Sequence, residues 1–129
     1  MDVRLKDSEW IILNALWDSE PMDLAGIIER VRVQNPQIAW DYKTYHSYLR
    51  ILCQKGLIAA EKQGKNNRYR PLITRGQAMD CETDSILGRR AYFGSVSNLV
   101  VRMAERGKLT AGEKRELMAL AARLSEELD

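Results

Sequence analysis

The sequence is poor in several residue types, and each scarcity narrows what the chain can be. Its 129 residues include one histidine, two cysteines and three prolines. Cys53 and Cys81 lie far apart, so we expect thiols in a reducing compartment rather than a disulfide. No apolar run approaches the ~20 residues that a membrane-spanning helix needs, and the N-terminus lacks the apolar core of a signal peptide. We therefore expect a cytoplasmic protein with no membrane partner.

The residue patterns that carry catalysis are also missing. His46 has no second histidine and no partner at the spacing that metal ligands show. Neither a glycine-rich phosphate-binding loop nor a nucleophile elbow occurs. The acidic group Asp80, Glu82 and Asp84 is more simply a solvated helix face than a cation site. We predict that the chain is not an enzyme and uses neither a cofactor nor a metal.

Charge is distributed unevenly along the chain, although the net charge is only +2. Hydrophobic residues make up 45% and charged residues 29%, which fits a folded chain of one or two small domains. Residues 41–73 carry seven Lys or Arg against Asp41 and Glu61, a net charge of +5. Residues 1–40 have a net charge of −3, and residues 74–129 are balanced. A local basic segment of this kind is what a nucleic-acid partner requires.

The basic segment begins with residues 41–56, whose pattern predicts one amphipathic helix with recognisable capping residues at both ends. Asp41 can cap the N-terminus by accepting a backbone N–H. Gly56 can adopt the left-handed conformation that ends helices, just after Lys55 in the last turn. Spacings of three and four place four apolar or aromatic side chains on one face. They are Tyr45, Tyr48, Leu49 and Leu52.

The opposite face of this helix carries hydrogen-bond donors and no carboxylate. One interpretation is an ordinary solvated face, but such faces usually mix charges of both signs. A donor-rich face without acid suits the phosphates and base edges of a DNA groove. The residues of this face are Lys43, His46, Ser47, Arg50 and Gln54.

Two helices before this one and a hairpin after it complete a recognisable arrangement. Asp7 or Ser8 is expected to cap the first helix, and Asp23 is expected to cap the second. A turn cluster at residues 63–67 predicts a β-hairpin with a basic tip and return strand. Three helices and a basic hairpin predict a winged helix-turn-helix, whose third helix enters the major groove. Three basic residues of the wing would then lie near the phosphates: Lys65, Arg68 and Arg70. The alternative interpretation is that the hairpin is only a charged edge that keeps the sheet soluble.

The remaining residues predict three more helices. The fourth is expected from Thr74 to about Arg89, the fifth from Val96 to Arg106, and the sixth after a capping box that starts at Thr110. A bend is expected at residues 92–95. The fold class is therefore mainly α with a small β-hairpin wing, in two domains: a winged helix at 1–73 and a helical dimerisation domain at 74–129.

Apolar stripes on the last two helices point to self-association. Three short helices cannot easily bury these stripes alone, whereas a second copy of the chain would cover them. A dimer would also place two reading helices one DNA turn apart, as palindromic operators demand. The alternative is a monomer in which these helices pack back on the first domain. The stripe residues are Leu99, Val100, Met103, Leu117, Leu120 and Leu124.

Three stretches resemble the penicillinase and methicillin-resistance repressors and their copper-transport relatives: D-S-E-W-I-I-L-N-A-L-W, W-D-Y-K-T-Y-H-S-Y-L-R-I-L-C-Q-K-G-L-I and E-K-Q-G-K-N-N-R-Y-R-P-L. The resemblance covers nearly the whole chain and is strongest over residues 7–72. It implies a homodimeric repressor that binds palindromic promoter elements. By position, the family's DNA-reading stretch matches Lys43, Thr44 and Ser47. Relatives often have Arg at the position of Ile51, whereas in this chain the cation is the preceding residue, Arg50.

The resemblance also bears on regulation. In the β-lactam systems a membrane sensor triggers proteolysis, which implies a regulatory protease or sensor as a partner. Those repressors are cut at an Asn-Phe bond that aligns with Arg102-Met103 here, and the C-x-C signature of copper-responsive members does not occur. The predicted function is a sequence-specific DNA-binding transcriptional repressor, a homodimer on palindromic operators. The alternative is a winged-helix protein-interaction module without specific DNA binding.

Overall fold

The computed structural model describes residues 4–128, which form two compact units that divide between Ser85 and Ile86. Three helices and a hairpin make up most of the first unit, and a fourth helix begins within it. In order, the elements are α1 (Asp7–Leu16), α2 (Leu24–Gln34), α3 (Tyr42–Gln54), β1 (Ile58–Gln63), β2 (Asn66–Pro71), α4 (Arg75–Gly88), α5 (Arg90–Phe93), α6 (Val96–Arg106) and α7 (Ala111–Leu128).

The core of the first unit lies between the inner faces of the first three helices. Apolar residues three and four apart face the same side of each helix, and these are the residues that become buried. Each large aliphatic side chain buried in this way contributes roughly 1.5–3 kcal/mol. Trp17 is buried, whereas Trp10 is half-buried and packs against the edge of the core. The most completely buried aliphatic residues are Ile12, Leu13, Leu16, Ile27, Val31, Leu49 and Leu52.

The helix starts follow local rules, with one exception. Asp23 caps α2 by accepting the backbone N–H of Gly26 at 3.0 Å. The predicted cap of α1 at Asp7 or Ser8 is wrong, because Lys6 occupies that position. There the Glu9 carboxylate accepts the Lys6 backbone N–H at 2.9 Å. The acceptor is thus supplied from inside the first turn rather than by the capping residue.

The hairpin is a two-stranded antiparallel sheet, as predicted. Its register pairs Ile58 with Pro71 at one end and Gln63 with Asn66 at the other. The connection is therefore a two-residue turn, Gly64-Lys65. Gly64 has a φ of +63°, which favours glycine at this position and is the reason a tight turn can form here.

The second unit contains one more helix than the sequence predicted. Instead of a simple bend at residues 92–95, a single helical turn, α5, ends at Phe93 and is followed by Gly94 at a φ of +87°. The capping box of α7 is confirmed: the Glu113 N–H donates to the Thr110 hydroxyl at 3.1 Å and the Thr110 N–H donates to the Glu113 carboxylate at 2.9 Å. None of the helices within residues 4–128 is long and apolar enough to cross a membrane.

The mainly α architecture with a β-hairpin wing is confirmed. The predicted start of α4 is also confirmed, since the Thr74 hydroxyl accepts the Gln77 N–H at 3.0 Å. Ala78 of this helix is buried. The division into functional domains at 1–73 and 74–129 stays a prediction.

Candidate nucleic-acid interface

The start of α3 is held by Asp41. Its carboxylate accepts the Thr44 backbone N–H at 2.8 Å, as predicted for an N-cap. Hydrogen bonds from the Thr44 side chain, and then from its backbone, hold the pKa of the Asp41 carboxyl below its ordinary value. A carboxylate that stays ionised interacts well with the positive end of the helix dipole. Asp41 thereby fixes where the reading face of α3 begins.

Burial of one side of α3 determines which residues face outward. Tyr45, Leu49 and Leu52 are each at most 1% exposed, because they pack into the core of the first unit. The opposite side is consequently turned to solvent. Lys43, His46, Arg50 and Gln54 are exposed there, and Thr44 and Ser47 are half-buried beside them. The α3 sequence contains no carboxylate, so the predicted donor-rich face is present in the structure.

The end of α3 is attached to α1 through a buried charge. Lys55, the C-cap residue, places its Nζ 2.7 Å from Oε2 of Glu9. The Glu9 side chain is 4% exposed, and its other oxygen holds the Lys6 N–H. Gly56 then takes a φ of +74°, which lets the chain turn into the hairpin. Both ends of α3 are therefore fixed by specific bonds.

The wing presents three basic residues in different settings. Lys65 is exposed at the turn. Arg70 donates from Nε to Oε1 of Glu61 on the facing strand at 2.8 Å. Arg68 lies opposite Glu61 in the register, and its Nη1 donates to the Pro21 carbonyl at 3.4 Å. Each guanidinium still has further N–H donors for a ligand, since arginine carries five.

A bridge between the wing and the start of α2 fixes where the wing sits. The Tyr69 N–H donates to the Met22 carbonyl at 2.8 Å, and the Met22 N–H donates to the Tyr69 carbonyl at 3.2 Å. Tyr69 itself is buried at 6% exposure. A groove consequently runs between the first turn of α3 and the wing tip. Its lining includes Tyr42, His46, Lys65, Asn66 and Asn67.

The structure brings some predicted residues together and adds others. His46 of α3 and Lys65 of the wing share this groove, whereas Arg50 lies one turn further along α3. Tyr42 was not among the predicted site residues. Its position four residues before His46 placed it on the outer side of the helix, so helical spacing alone could have found it.

The second unit by itself carries the residues predicted for dimerisation. In α6 and α7, both described from end to end, no side chain is buried. Of the six residues predicted for dimerisation, Leu99 is half-buried. The exposed ones are Val100, Met103, Leu117, Leu120 and Leu124. Val100 is 47% exposed and Leu124 is 49% exposed. Large apolar side chains exposed along two amphipathic helices are a surface that association would cover.

The cysteine and acidic residues give no sign of a reactive or metal-binding site. Burial raises the pKa of the Cys53 thiol, which keeps it protonated and unreactive near neutral pH. Within residues 4–128, no group of three His, Cys, Asp or Glu side chains is arranged to hold a metal ion. Asp80 and Asp84 lie beside Cys81 along a shallow depression on α4.

Three helices, a basic wing and a donor-rich outer face on the third helix define a DNA-binding regulator of the winged-helix class. The sequence model of the penicillinase repressor family matches residues 5–123. The chain belongs to this family, as its resemblance predicted. It is a DNA-binding transcriptional repressor and not an enzyme.

Curated relatives are similar over most of their length. The methicillin resistance regulatory protein MecI of Mammaliicoccus sciuri is 26% identical over 113 residues, which is 88% of this chain and 89% of that protein. MecI of Staphylococcus epidermidis gives the same figures. Among solved structures, the PcaV transcriptional regulator from Streptomyces coelicolor has a TM-score of 0.47 at 18% identity, covering 98% of this chain and 78% of that one.

Proposed function

We propose that this repressor acts as a homodimer on inverted-repeat operators, with α3 of each copy in the major groove and the wing on the flanking backbone. The observation that carries the proposal is the outer face of α3, which offers donors and no acid while its other face is buried. Repression would follow from occupying promoter DNA. We further propose that the protein works in the cytoplasm.

Direct reading of bases is assigned to the outer face of α3. Arginine and lysine bind guanine O6 and N7, so Arg50 and Lys43 are suited to guanines in the major groove. The His46 ring and the Ser47 hydroxyl can bond base edges or phosphates. The Thr44 hydroxyl bonds the Asp41 carboxylate, as its backbone N–H does, so it would contact DNA as an acceptor through its remaining lone pairs.

Backbone contact is assigned to the wing. Lys65 is exposed at the tip and suits a phosphate. Arg68 and Arg70 hold Pro21 and Glu61 within the protein, so we expect them to contact phosphates through their remaining N–H groups. Because Glu61 offsets part of this charge, Lys65 should contribute more of the salt-dependent affinity than Arg70.

The dimer is assigned to α6 and α7. The exposed apolar residues of these helices would be covered by the same surface of a second copy, as in two-fold symmetric interfaces. Two copies would then hold both half-sites at once, which raises affinity well above that of one. Release by a regulatory protease or sensor, which the family resemblance implies, stays a prediction.

Capture of fragmented genomic DNA from the source organism tests the proposal. Purified protein near physiological salt is expected to retain a few promoters that share an inverted repeat. Lys43→Ala should lose this enrichment, whereas Arg4→Ala, a charge-matched change at an exposed residue before α1, should keep it. Retention of random fragments that salt removes, or of nothing, would contradict operator binding and favour a protein-interaction module.

A further inference from the structure

The three tyrosines of α3 have different surroundings, and one of them is not needed for the core. Tyr45 is 1% exposed, and Tyr48 is half-buried with its ring edge-on to Trp40 at 4.9 Å. Tyr42 is 61% exposed at the first position of the helix. A large aromatic side chain on the donor-rich side is therefore available to a ligand.

The Tyr42 ring is held in place by its neighbour. His46 lies one helical turn further on, and the two ring centroids are 5.2 Å apart with an interplanar angle of 67°. This edge-to-face geometry is the one that aromatic pairs prefer. A ring that is already oriented loses less conformational entropy when it binds. Tyr42 is consequently a preorganised apolar contact rather than a freely rotating side chain.

The location of this ring pair matches the part of a reading helix that approaches bases. In helix-turn-helix proteins the N-terminal residues of the reading helix contact base edges. Tyr42 and His46 also line the groove that Lys65 and Asn66 of the wing border. The ring therefore lies beside basic and amide side chains of the wing, and Asp23, which caps α2, also lines the groove. Such a mixture fits the major groove beside a phosphate backbone.

Only one base presents an apolar group in the major groove, and that is thymine with its C5-methyl. We propose that the Tyr42 ring packs against the C5-methyl of one thymine in each half-site and thereby specifies that base. The inference rests on the proposed function, since it needs α3 in the major groove. It assigns base discrimination to an aromatic ring in addition to the donors already described.

The expected size of the effect follows from the methyl group. Burying one such group is worth ~0.8 kcal/mol, which corresponds to about a fourfold change in Kd. Replacing thymine by uracil removes this methyl and leaves every hydrogen-bonding group of the base unchanged. Scanning each thymine of one half-site with uracil therefore isolates the contact.

The test uses the full-length protein and an operator selected from random DNA, with Kd measured by fluorescence anisotropy. Wild type should lose about fourfold affinity when one particular thymine of a half-site becomes uracil. Tyr42→Phe should keep this sensitivity because the ring remains, and Tyr42→Ala should lose it. Met79→Ala, which shortens an exposed apolar side chain on α4, should behave as wild type.

The outcomes separate this inference from the proposed function. An operator whose thymines all tolerate uracil in wild type would overturn the role of Tyr42 while leaving operator binding intact. Equal uracil sensitivity in wild type and Tyr42→Ala would do the same. Failure to select any sequence would overturn the proposed function and this inference with it.

Discussion

The part-buried ion pair of Glu9 and Lys55 yields the sharpest stability prediction. The two Glu9 oxygens bond the Lys6 N–H at 2.9 Å and the Lys55 ammonium at 2.7 Å. Lys55→Met keeps most of the length of the side chain but leaves a nearly buried carboxylate without its cation. Breaking a buried ion pair in this way costs about 3–5 kcal/mol when both partners are inaccessible.

The exposure of Lys55 lowers the expected cost of breaking this ion pair. The Lys55 side chain is 38% exposed, so water already screens the pair, and the Glu9 carboxylate would retain its bond to Lys6. We therefore expect Lys55→Met to lower the free energy of unfolding by about 2 kcal/mol. Glu9→Gln should cost about 1 kcal/mol, because the amide oxygen can still accept the Lys6 N–H. Combining both changes should cost less than Lys55→Met alone, since no unpaired charge remains.

Urea unfolding at one fixed protein concentration measures these differences, because the apparent stability of a dimer depends on concentration. Lys62→Met is the matched control: it removes an exposed lysine from β1 and should stay within about 0.5 kcal/mol of wild type. If Lys55→Met is as harmless as this control, the pair does not stabilise the fold. Additive costs in the double variant would refute the unpaired-charge explanation.

Three further predictions follow from the same surfaces. Lys65→Ala should weaken operator binding and reduce the slope of log K against log salt by about 1 per copy, measured by a salt titration; an unchanged slope would place Lys65 away from the phosphates. Leu120→Asp should dissociate the dimer in sedimentation experiments, because it puts an unpaired charge in an apolar interface, while Met118→Asp, off this stripe and 72% exposed, should not. The stability advantage of wild type over Asp41→Asn should be present at neutral pH and disappear as the pH falls below 3.8, because the pKa of Asp41 is lowered in the folded state; an advantage independent of pH would exclude this linkage.

Features set by neighbouring residues could be predicted from the sequence. The caps at Asp23, Asp41 and Thr110 each depend on a donor three residues ahead, so spacing alone identifies them. The end of α3 before Gly56 is also a local feature, because glycine readily adopts the left-handed conformation that follows a helix. The cap of α1 was wrong because Glu9 satisfies the Lys6 N–H from within the helix, which makes an ordinary capping side chain unnecessary.

Features that join distant residues could not be predicted in this way. Glu9 and Lys55 are 46 positions apart, and no local pattern links a glutamate in one helix to a lysine at the end of another. The bridge from Met22 to Tyr69 likewise depends on how the wing folds back onto α2. These contacts position the reading helix and the wing relative to each other. Helical spacing identified the exposed donor-rich face of α3 but not Tyr42, and the arrangement of this face beside the wing required the structure. The DNA-binding role of these residues stays a prediction.

Dimethyl sulfate footprinting of the captured operator tests the central claim most directly. The reagent methylates guanine N7 in the major groove and adenine N3 in the minor groove. With α3 of each copy in the major groove, guanine N7 should be protected in two half-sites about one helical turn apart. Arg50→Ala should lose part of this protection, since Arg50 is assigned to guanine. Protection of adenine N3 alone, or guanines methylated equally with and without protein, would contradict the assignment of α3 as the reading helix.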